Sequence, residues 1–163
     1  MKRMILLWLL VVISSISLSA QINDTFFSRG LSLGANYKTC KKKIVRHFPT
    51  ATEMEKDEVK YIEVRNCYFG GTTWDVITFY FNKSKFQTLY CEKQNNDMTR
   101  HMETELLLKN KYAQYLMLDQ FADGRSDLVF DDGNNTCCLI REKGGTILLY
   151  DHTSYFKENH ISR

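Results

Sequence analysis

The sequence has one proline and no stretch rich in proline, glycine or serine. Such stretches are typical of linkers between domains, so their absence favours a single folded unit. A chain of 163 residues is long enough for that unit to bury a real hydrophobic core. Beyond residue 20, no apolar run reaches the length that spans a bilayer. We therefore expect one domain and no transmembrane segment after the leader is removed.

The sequence also lacks the motifs that mark common catalytic and metal sites. None of its four histidines forms the His-Glu-x-x-His pattern of metalloproteases, and no Gly-x-Ser-x-Gly elbow is present. The cysteines form no Cys-x-x-Cys pair, which argues against a structural zinc site. These absences predict a protein that is not an enzyme and that has no metal or other cofactor.

The excess of positive over negative charge is also small. The formal net charge is +3, and two of the basic residues, Lys2 and Arg3, belong to a predicted leader. Proteins that bind DNA or RNA carry a concentrated positive field, because phosphate contacts supply much of the affinity. We therefore expect no nucleic-acid partner.

Residues 1–20 have the layout of a secretory signal peptide. Lys2 and Arg3 form a basic start, Met4 to Ile13 form an apolar run of suitable length, and small residues follow. The predicted cleavage lies at the end of this stretch, and cleavage one residue earlier is the alternative. The mature chain, residues 21–163, is then expected to be a single α+β domain that is exported to the periplasm or secreted.

The stretch from Val59 to Lys93 predicts three antiparallel strands. Two turn-type breaks, Gly70-Gly71 and Asn82-Lys83-Ser84, separate runs rich in β-branched and aromatic residues. Because side chains alternate between the faces of a strand, one face is predicted to be apolar and to face the core. Its members are Ile62, Val64, Ile77, Phe79, Phe81, Phe86 and Tyr90. The opposite face is mixed, and its members are Glu63, Arg65, Thr78, Tyr80, Gln87 and Leu89.

The five cysteines are Cys40, Cys67, Cys91, Cys137 and Cys138. Export permits disulfides, but an odd number leaves at least one thiol unpaired in a monomer. The predicted register places Cys67 and Cys91 on the mixed face, two strands or about 9.5 Å apart. A disulfide requires Cα atoms within about 7 Å, so this pair is not expected to be bridged. We interpret the cysteines mainly as small buried apolar side chains.

Two amphipathic helices flank the three strands. The first lies within Leu31 to Phe48, and its apolar stripe consists of Tyr37, Cys40, Ile44 and Phe48. The second follows a capping Asp97, and its stripe consists of Met98, Met102, Leu106, Ala113 and Met117. We interpret both stripes as facing the core, although a methionine-rich stripe is also compatible with a binding groove. Thr50 to Asp57 is interpreted as a polar loop.

Three short strands are predicted in the last third of the chain, at Asp127–Phe130, Thr136–Arg141 and Thr146–Tyr150. Asp151 to Arg163 is interpreted as a polar tail. The order is then helix, three strands, helix, three strands, which is a tandem αβββ repeat. Because one face of the sheet is apolar, it needs a cover, and the two helices can supply it. The predicted fold is α+β, a two-layer sandwich of an antiparallel sheet covered by two helices.

Three stretches carry a resemblance to known proteins, namely GLSLGANYKTCKKKIVRHFP, FGGTTWDVITFYFNKSKFQTLY and LLLKNKYA. They resemble small exported proteins of uncharacterised function from Gram-negative anaerobes, in which a Gly-rich loop precedes a short helix and an apolar meander. The layout is also similar to the αβββ units of β-lactamase-inhibitor proteins and of small outer-membrane assembly lipoproteins. The resemblance implies an α+β fold and export, and it implies no catalytic residue. The lipid-anchor cysteine of the assembly lipoproteins is missing here.

The mixed face supplies the predicted binding site. We assign to it Arg65, Tyr68, Trp74 and Tyr80, because exposed aromatic residues together with arginine are common at protein interfaces. The prediction is a non-catalytic exported module that binds an envelope protein or another envelope ligand. Packing of Trp74 and Tyr80 under a helix or another part of the sheet is the alternative for these two side chains.

A rival prediction uses the acidic residues of the 119–132 region, which are Asp119, Asp123, Asp127, Asp131 and Asp132. A carboxylate with a raised pKa in a cleft there would indicate an unrecognised cell-envelope hydrolase. Loop oxygens could also hold calcium, although the spacing does not match the EF-hand loop and Asp-Gly turns account for the same residues. A third alternative is a structural subunit of an envelope assembly that associates through an apolar face.

Overall fold

The structure is a computed structural model that describes residues 31–57, 59–94, 98–120, 126–142 and 145–156. For residues 117–120, 126–127 and 142 only the backbone is described. The predicted signal peptide, the capping Asp97, Asp123 and the part of the predicted tail after residue 156 lie outside the described residues.

Helices and strands follow one another in two similar blocks. In each block a helix precedes four strands, and a 3-10 turn and a short final helix are added in the second. The helices are α1 Tyr37–His47, α2 Met98–Tyr112 and α3 Thr153–Phe156, and the 3-10 turn is Ala113–Tyr115. The strands are β1 Thr52–Lys56, β2 Val59–Phe69, β3 Thr72–Asn82, β4 Lys85–Gln94, β5 Leu116–Gln120, β6 Ser126–Asp131, β7 Asn135–Glu142 and β8 Gly145–His152.

All of these strands form one antiparallel sheet in the order β1-β2-β3-β4-β8-β7-β6-β5. Each block contributes four consecutive strands, and the blocks meet where β4 pairs with β8. We call α1 with β1–β4 the first half, and α2 with β5–β8 and α3 the second half. The α+β class and the antiparallel sheet predicted from the sequence are confirmed.

The main core lies on one side of the sheet, which we call the inner face. Its sheet residues share a cluster with Cys40 and Ile44 of α1 and with Leu108 and Tyr112 of α2. One row of this cluster crosses both halves through paired residues, namely Ile62, Phe79, Leu89, Tyr150, Cys137 and Phe130. Burial of this continuous apolar surface is the main force that holds the two halves together.

The first helix begins where the sequence supplies a cap. The side-chain oxygen of Asn36 accepts a hydrogen bond of 3.0 Å from the backbone N–H of Lys38, which satisfies a donor that the first turn leaves free. Cys40 and Ile44 are fully buried, and the other two members of the predicted stripe are partly buried against the same cluster. The prediction of a core-facing stripe on this helix is confirmed.

The segment predicted as a polar loop, Thr50 to Asp57, contains the edge strand β1. Its residues, TEMEK, are mostly polar or charged and therefore lack the alternation on which strand prediction depends. Charged side chains are usual on edge strands, because they discourage pairing with another chain. Glu53 ties this strand to α1, since it accepts a hydrogen bond from the Tyr37 hydroxyl and forms an ion pair of 2.8 Å with Lys41.

The predicted strands β2, β3 and β4 are present, but β4 contains a bulge. Phe81 pairs with Phe86 whereas Tyr80 pairs with Thr88, which makes Gln87 an extra residue in β4. An extra residue moves every later side chain of its strand to the other face.

The bulge changes which side chains of β4 face the core. Leu89 and Cys91 are fully buried there, so the predictions that Tyr90 faces the core and Leu89 the mixed face are wrong. The alternation of buried positions also changes in β2 at Asn66, whose backbone is left-handed with φ 48°, although β2 and β3 stay paired in the same register on both sides of it. The buried positions of β2 are even-numbered before this residue, whereas Cys67 is buried after it. Cys67 and Cys91 therefore lie in the core and not on the mixed face.

All five cysteines are buried and have free thiol groups. Burial raises the pKa of Cys67 to about 11 and that of Cys137 to about 12. The reactive thiolate is therefore rare at neutral pH. The interpretation of the cysteines as small buried side chains is confirmed.

The second helix is shorter than predicted and turns a different side towards the core. It ends at Tyr112, and Leu116–Gln120 form β5 instead of continuing the helix. The prediction of a core-facing stripe is wrong for Met98, Met102 and Leu106, which are exposed. The buried residues of α2 are Thr104, Leu108 and Tyr112.

The last strand extends further than predicted. β8 ends at His152 and α3 follows it directly, so Asp151 belongs to the sheet and not to a polar tail. Phe156, at the end of α3, is buried. Within the described ranges, no helix combines the length and the apolar character needed to cross a membrane.

Candidate functional site

The outer face of the sheet, opposite the main core, differs between the two halves. In the first half its residues on β1, β2 and β3, other than the buried Thr78, remain at least partly exposed. We call this set the open face, and its members are Met54, Tyr61, Glu63, Arg65, Val76 and Tyr80. Across β4 and the second half the outer face carries an apolar, largely buried cluster. We call this set the closed face, and its members are Tyr90, Val129, Cys138, Ile140 and Leu149.

The closed face owes its burial to a regular row of side chains and to the helix after β8. Four of its members pair directly across neighbouring strands, in the order Tyr90, Leu149, Cys138 and Val129. Phe156 packs with this row and is itself only 1 % exposed. The second half therefore offers little outer surface on this row for a partner.

The open face combines an ion pair with a pair of aromatic rings. Arg65 and Glu63 lie two positions apart on β2, on the same side of the strand, and form an ion pair of 2.7 Å. Tyr80 of β3 pairs with Tyr61 of β2, and the ring centroids are 6.0 Å apart. Both Arg65 and Tyr80 are exposed, and Tyr80 retains 37 % of its surface. The structure therefore places these two predicted residues on one accessible surface.

The other two predicted site residues have different positions. Tyr68 lies near the β2–β3 turn and is 69 % exposed, the largest value among the exposed large hydrophobic side chains of the described residues. Trp74 is only 2 % exposed and belongs to the main core. Its ring N–H donates a hydrogen bond of 3.0 Å to the carbonyl of Phe69. The prediction that Trp74 lies on the binding face is wrong, because the alternation of buried positions changes at Asn66.

A cavity of about 240 Å³ lies beside the open face, where β3 and β4 approach α3. Pockets for drug-sized ligands usually have volumes of about 300–1,000 Å³, so this cavity suits a small group or one end of a larger ligand. Its wall contains two tyrosines, two amide side chains and one carboxyl group. The lining residues are Val59, Tyr80, Phe81, Asn82, Gln87, Thr88, Asp151 and Tyr155.

Asp151 is the ionisable group that distinguishes this cavity. Its side chain is buried. The Thr88 hydroxyl donates a hydrogen bond of 3.0 Å to one carboxyl oxygen, and the backbone N–H of His152 donates a hydrogen bond of 2.8 Å to the other. Burial raises the pKa of Asp151 to about 7, although both hydrogen bonds favour the charged form and oppose the shift. Protonated and ionised forms are therefore both populated near neutral pH.

Among the described residues, the wall of this cavity contains Asp151 as its one carboxyl group and no histidine or cysteine. Throughout the parts of the chain that the structure describes, no three His, Cys, Asp or Glu side chains are grouped so that they could hold a metal ion.

The acidic residues of the 119–132 region are only partly described. The side chains of Asp119, Asp123 and Asp127 lie outside the described residues. Asp131 and Asp132 each accept hydrogen bonds from backbone N–H groups of the β6–β7 turn, at 2.7 to 3.0 Å. They therefore have the role of turn residues that the simpler interpretation gave them. The hydrolase and the calcium site remain predictions.

Sequence reasoning missed Asp151, because it ended the last strand at Tyr150, two residues too early. A signal was present in the alternation of this stretch. Leu148 and Tyr150 face the main core whereas Leu149 faces the closed face, and continuing this period by two residues places Asp151 on the outer face. A charged residue at a sheet position beside buried neighbours is the kind of group whose pKa shifts.

Comparison of the chain with protein-family models, curated proteins and solved structures finds no match.

Proposed function

We propose that this protein is a non-catalytic exported module that binds a protein or another ligand of the cell envelope through its open face. The observation that carries the proposal is the difference between the two outer surfaces. Arg65, Tyr68 and Tyr80 remain accessible in the first half, whereas the corresponding surface of the second half is buried with Phe156. Accessible aromatic side chains beside arginine are the composition expected of an interface. Export is proposed from the signal-peptide pattern of residues 1–20.

We also propose that the chain is a tandem duplication in which α1 and α2 cover the inner face. The support is the repeated order of a helix and four antiparallel strands, with the two units meeting at the β4–β8 pair. Each unit has one strand more than the αβββ pattern of the sequence. Under this proposal one unit keeps an accessible outer face for binding, and the other uses the same face for packing.

The proposal is tested by affinity capture from an envelope extract. The bait is protein expressed from the full sequence, so that the host processes any leader. Three baits are compared: the wild type, Arg65→Ser/Tyr80→Ser on the open face, and Lys42→Ser/Arg46→Ser on α1. All four substituted residues are exposed, so each variant should unfold at nearly the same temperature as the wild type.

We expect the wild type and the α1 variant to retain the same stoichiometric partner and the open-face variant to lose it. Equal recovery by all three baits would contradict the proposal, because the open face would then not contribute. Failure of every bait to retain a partner, with mild detergent and with calcium both present and absent, would also contradict it.

A further inference from the structure

A row of outer-face residues crosses the sheet at the cavity, and its two charged members are both acidic. Strand pairing joins the row, except that a side-chain hydrogen bond connects Thr88 to Asp151. The members are Tyr61, Tyr80, Thr88, Asp151, Thr136 and Asp131. Asp131 serves the β6–β7 turn and accepts a hydrogen bond of 2.8 Å from the Thr153 hydroxyl. Asp151 is the carboxyl group that reaches the cavity wall.

The basic groups around this row are not part of the cavity wall. Lys85 is exposed at the β3–β4 turn, Arg65 forms its ion pair within β2, and the ring of His152 lies near Gly34. Burial and two hydrogen bonds account for the raised pKa of Asp151, and no charged side chain among the described residues contributes to it. In the part of the chain that the structure describes, an ionised Asp151 therefore has no cationic partner.

The rest of the wall suits an organic cation. Tyr80 of β3 and Tyr155 of α3 contribute aromatic rings, and the face of such a ring attracts a positive charge. The side-chain carbonyls of Asn82 and Gln87 are acceptors for N–H donors. The volume of about 240 Å³ admits an ammonium or guanidinium group together with a short alkyl stem. Charge, ring chemistry and size are therefore complementary to the same kind of ligand.

We propose that this cavity binds a monovalent organic cation, the ammonium or guanidinium group of a small amine or of a basic side chain, with the Asp151 carboxylate as its counter-ion. The ligand supplies the opposite charge that the cavity wall does not provide. Because Asp151 is partly protonated near neutral pH in the unliganded protein, binding releases this proton to solvent. The ligand is distinct from the partner proposed for the open face, and a negative result for one does not decide the other.

The test is a titration of ¹⁵N-labelled protein, expressed from its full sequence, with n-propylammonium, n-propylguanidinium and the neutral n-propanol. Chemical shifts of the backbone amides of Thr88 and Asp151 report binding. We expect at least one of the cations to bind in the millimolar range, because so small a ligand buries little surface. Propanol, which has the same stem and no charge, should bind at least about tenfold more weakly.

The pH dependence of binding tests the counter-ion. Only the ionised carboxyl group pairs with the cation, and the pKa of Asp151 is about 7. The apparent dissociation constant of the cation should therefore be about tenfold higher at pH 6 than at pH 8. This comparison uses the wild type alone, so it holds even if a variant of Asp151 does not fold.

Asp151→Asn keeps the shape of the side chain and removes its charge, so it should weaken binding at least about tenfold and abolish the dependence on pH. Glu92→Gln is the matched control, since Glu92 lies on the outer face of β4 and outside the cavity wall, and it should leave the dissociation constant unchanged. Cations that bind no better than propanol would overturn the proposal. So would tighter binding at pH 6 than at pH 8, or an Asp151→Asn variant that binds like the wild type.

The source of the cation is decided by a second pair of probes, the N-acetyl amides of lysine and arginine. Binding at least about tenfold tighter than that of the propyl cations would identify a basic side chain as the natural ligand group, because the peptide part then adds contacts at the cavity mouth. Equal or weaker binding would identify a free amine. In either case the Asp151→Asn variant should lose the interaction.

Discussion

The two halves of the molecule share an order of elements but use the outer face of the sheet differently. In the second half, Val129, Cys138 and Leu149 are apolar and are packed with Phe156. In the first half, Arg65 and Tyr80 remain exposed at the outer face. The inner faces of both halves belong to one core cluster. The two halves therefore share one inner core, whereas their outer faces differ in how much of their surface is accessible.

Asp151 lies where the two kinds of outer surface meet. It stands on β8 beside Thr88 of β4, which in turn pairs with Tyr80 of the open face. The row continues into the second half through Thr136, which pairs with Asp151. The cavity beside this row is therefore a boundary between the accessible and the packed half.

The largest effect is expected at Phe156, whose removal should open the closed face. Phe156→Ala exposes apolar side chains and leaves a cavity, so the free energy of unfolding should fall by about 3 kcal/mol or more in a urea titration. Thiol labelling should then modify Cys138, which packs with Phe156, while Cys91 of the inner core stays protected. A loss of stability below about 0.5 kcal/mol would contradict the role given to α3.

The largest pH-dependent change in stability should come from Asp151, against a smaller contribution of opposite sign from His101, whose pKa is lowered by burial. The pKa of Asp151 is about 7 in the folded protein and 3.8 in its usual environment. The folded state therefore binds the proton more tightly, and its contribution to stability is complete below pH 4 and is lost as the pH rises through 7. Between these limits the free energy of unfolding should fall by about 2–4 kcal/mol.

Asp151→Asn should remove most of this dependence, because the amide has the shape of the carboxyl group and no charge. Asp57→Asn is the matched control, since Asp57 is exposed and lies outside the sheet. Denaturant titrations at pH 5, 6, 7 and 8 measure the difference. A wild type whose stability rises over this interval would show that the carboxylate is the favoured form in the folded protein.

A smaller effect is expected at Asn66, which decides the residues of β2 that face outward near the turn. Its φ of 48° is tolerated by asparagine and glycine but not by β-branched residues. Asn66→Val should lower the free energy of unfolding by about 1–2 kcal/mol, whereas Asn66→Gly should change it little. Equal losses in both variants would point to a side-chain contact of Asn66 in place of its backbone conformation.

The smallest effect on stability is expected on the accessible half itself. Arg65→Ala and Tyr68→Ala should each change the free energy of unfolding by less than about 0.5 kcal/mol, since both side chains are exposed and the ion pair of Arg65 is at the surface. A loss comparable with that of Phe156→Ala would mean that the accessible half is packed as tightly as the other.

Strands with strong alternation of apolar and polar residues were predicted correctly. The prediction of which side chains face the core was wrong where one residue interrupts that alternation. The core positions of β2 and β3 followed from Ile62, Val64, Ile77 and Phe79. Beyond the bulge at Gln87 the same rule assigned Leu89 to the wrong face, because nothing in the local residue types requires an extra residue there. Edge strand β1 was missed for a different reason, since its charged residues have no apolar face to reveal.

The buried side of α2 was predicted wrongly, because the periodicity of a helix does not say which of its sides faces the sheet. Met98, Met102 and Leu106 share the four-residue spacing of the buried Thr104, Leu108 and Tyr112, and both rows contain apolar residues. Only the packing of the whole sheet decides between them. At the candidate site, the outward position of Arg65 and Tyr80 could be predicted from the alternation of side chains. The burial of Trp74 could not, because it depends on the left-handed backbone of Asn66, and the position of Asp151 could not, because it depends on where β8 ends.

The most direct test of the account is photo-crosslinking in an envelope extract, with a photoreactive phenylalanine analogue at position 80 or at position 154. Tyr80 lies on the open face, and Ser154 is exposed on α3 beside the closed face. If the open face binds the partner, a discrete crosslinked partner is expected from position 80 and none from position 154. A partner crosslinked from position 154 alone, or equally from both positions, would contradict the claim that the accessible first half is the binding surface.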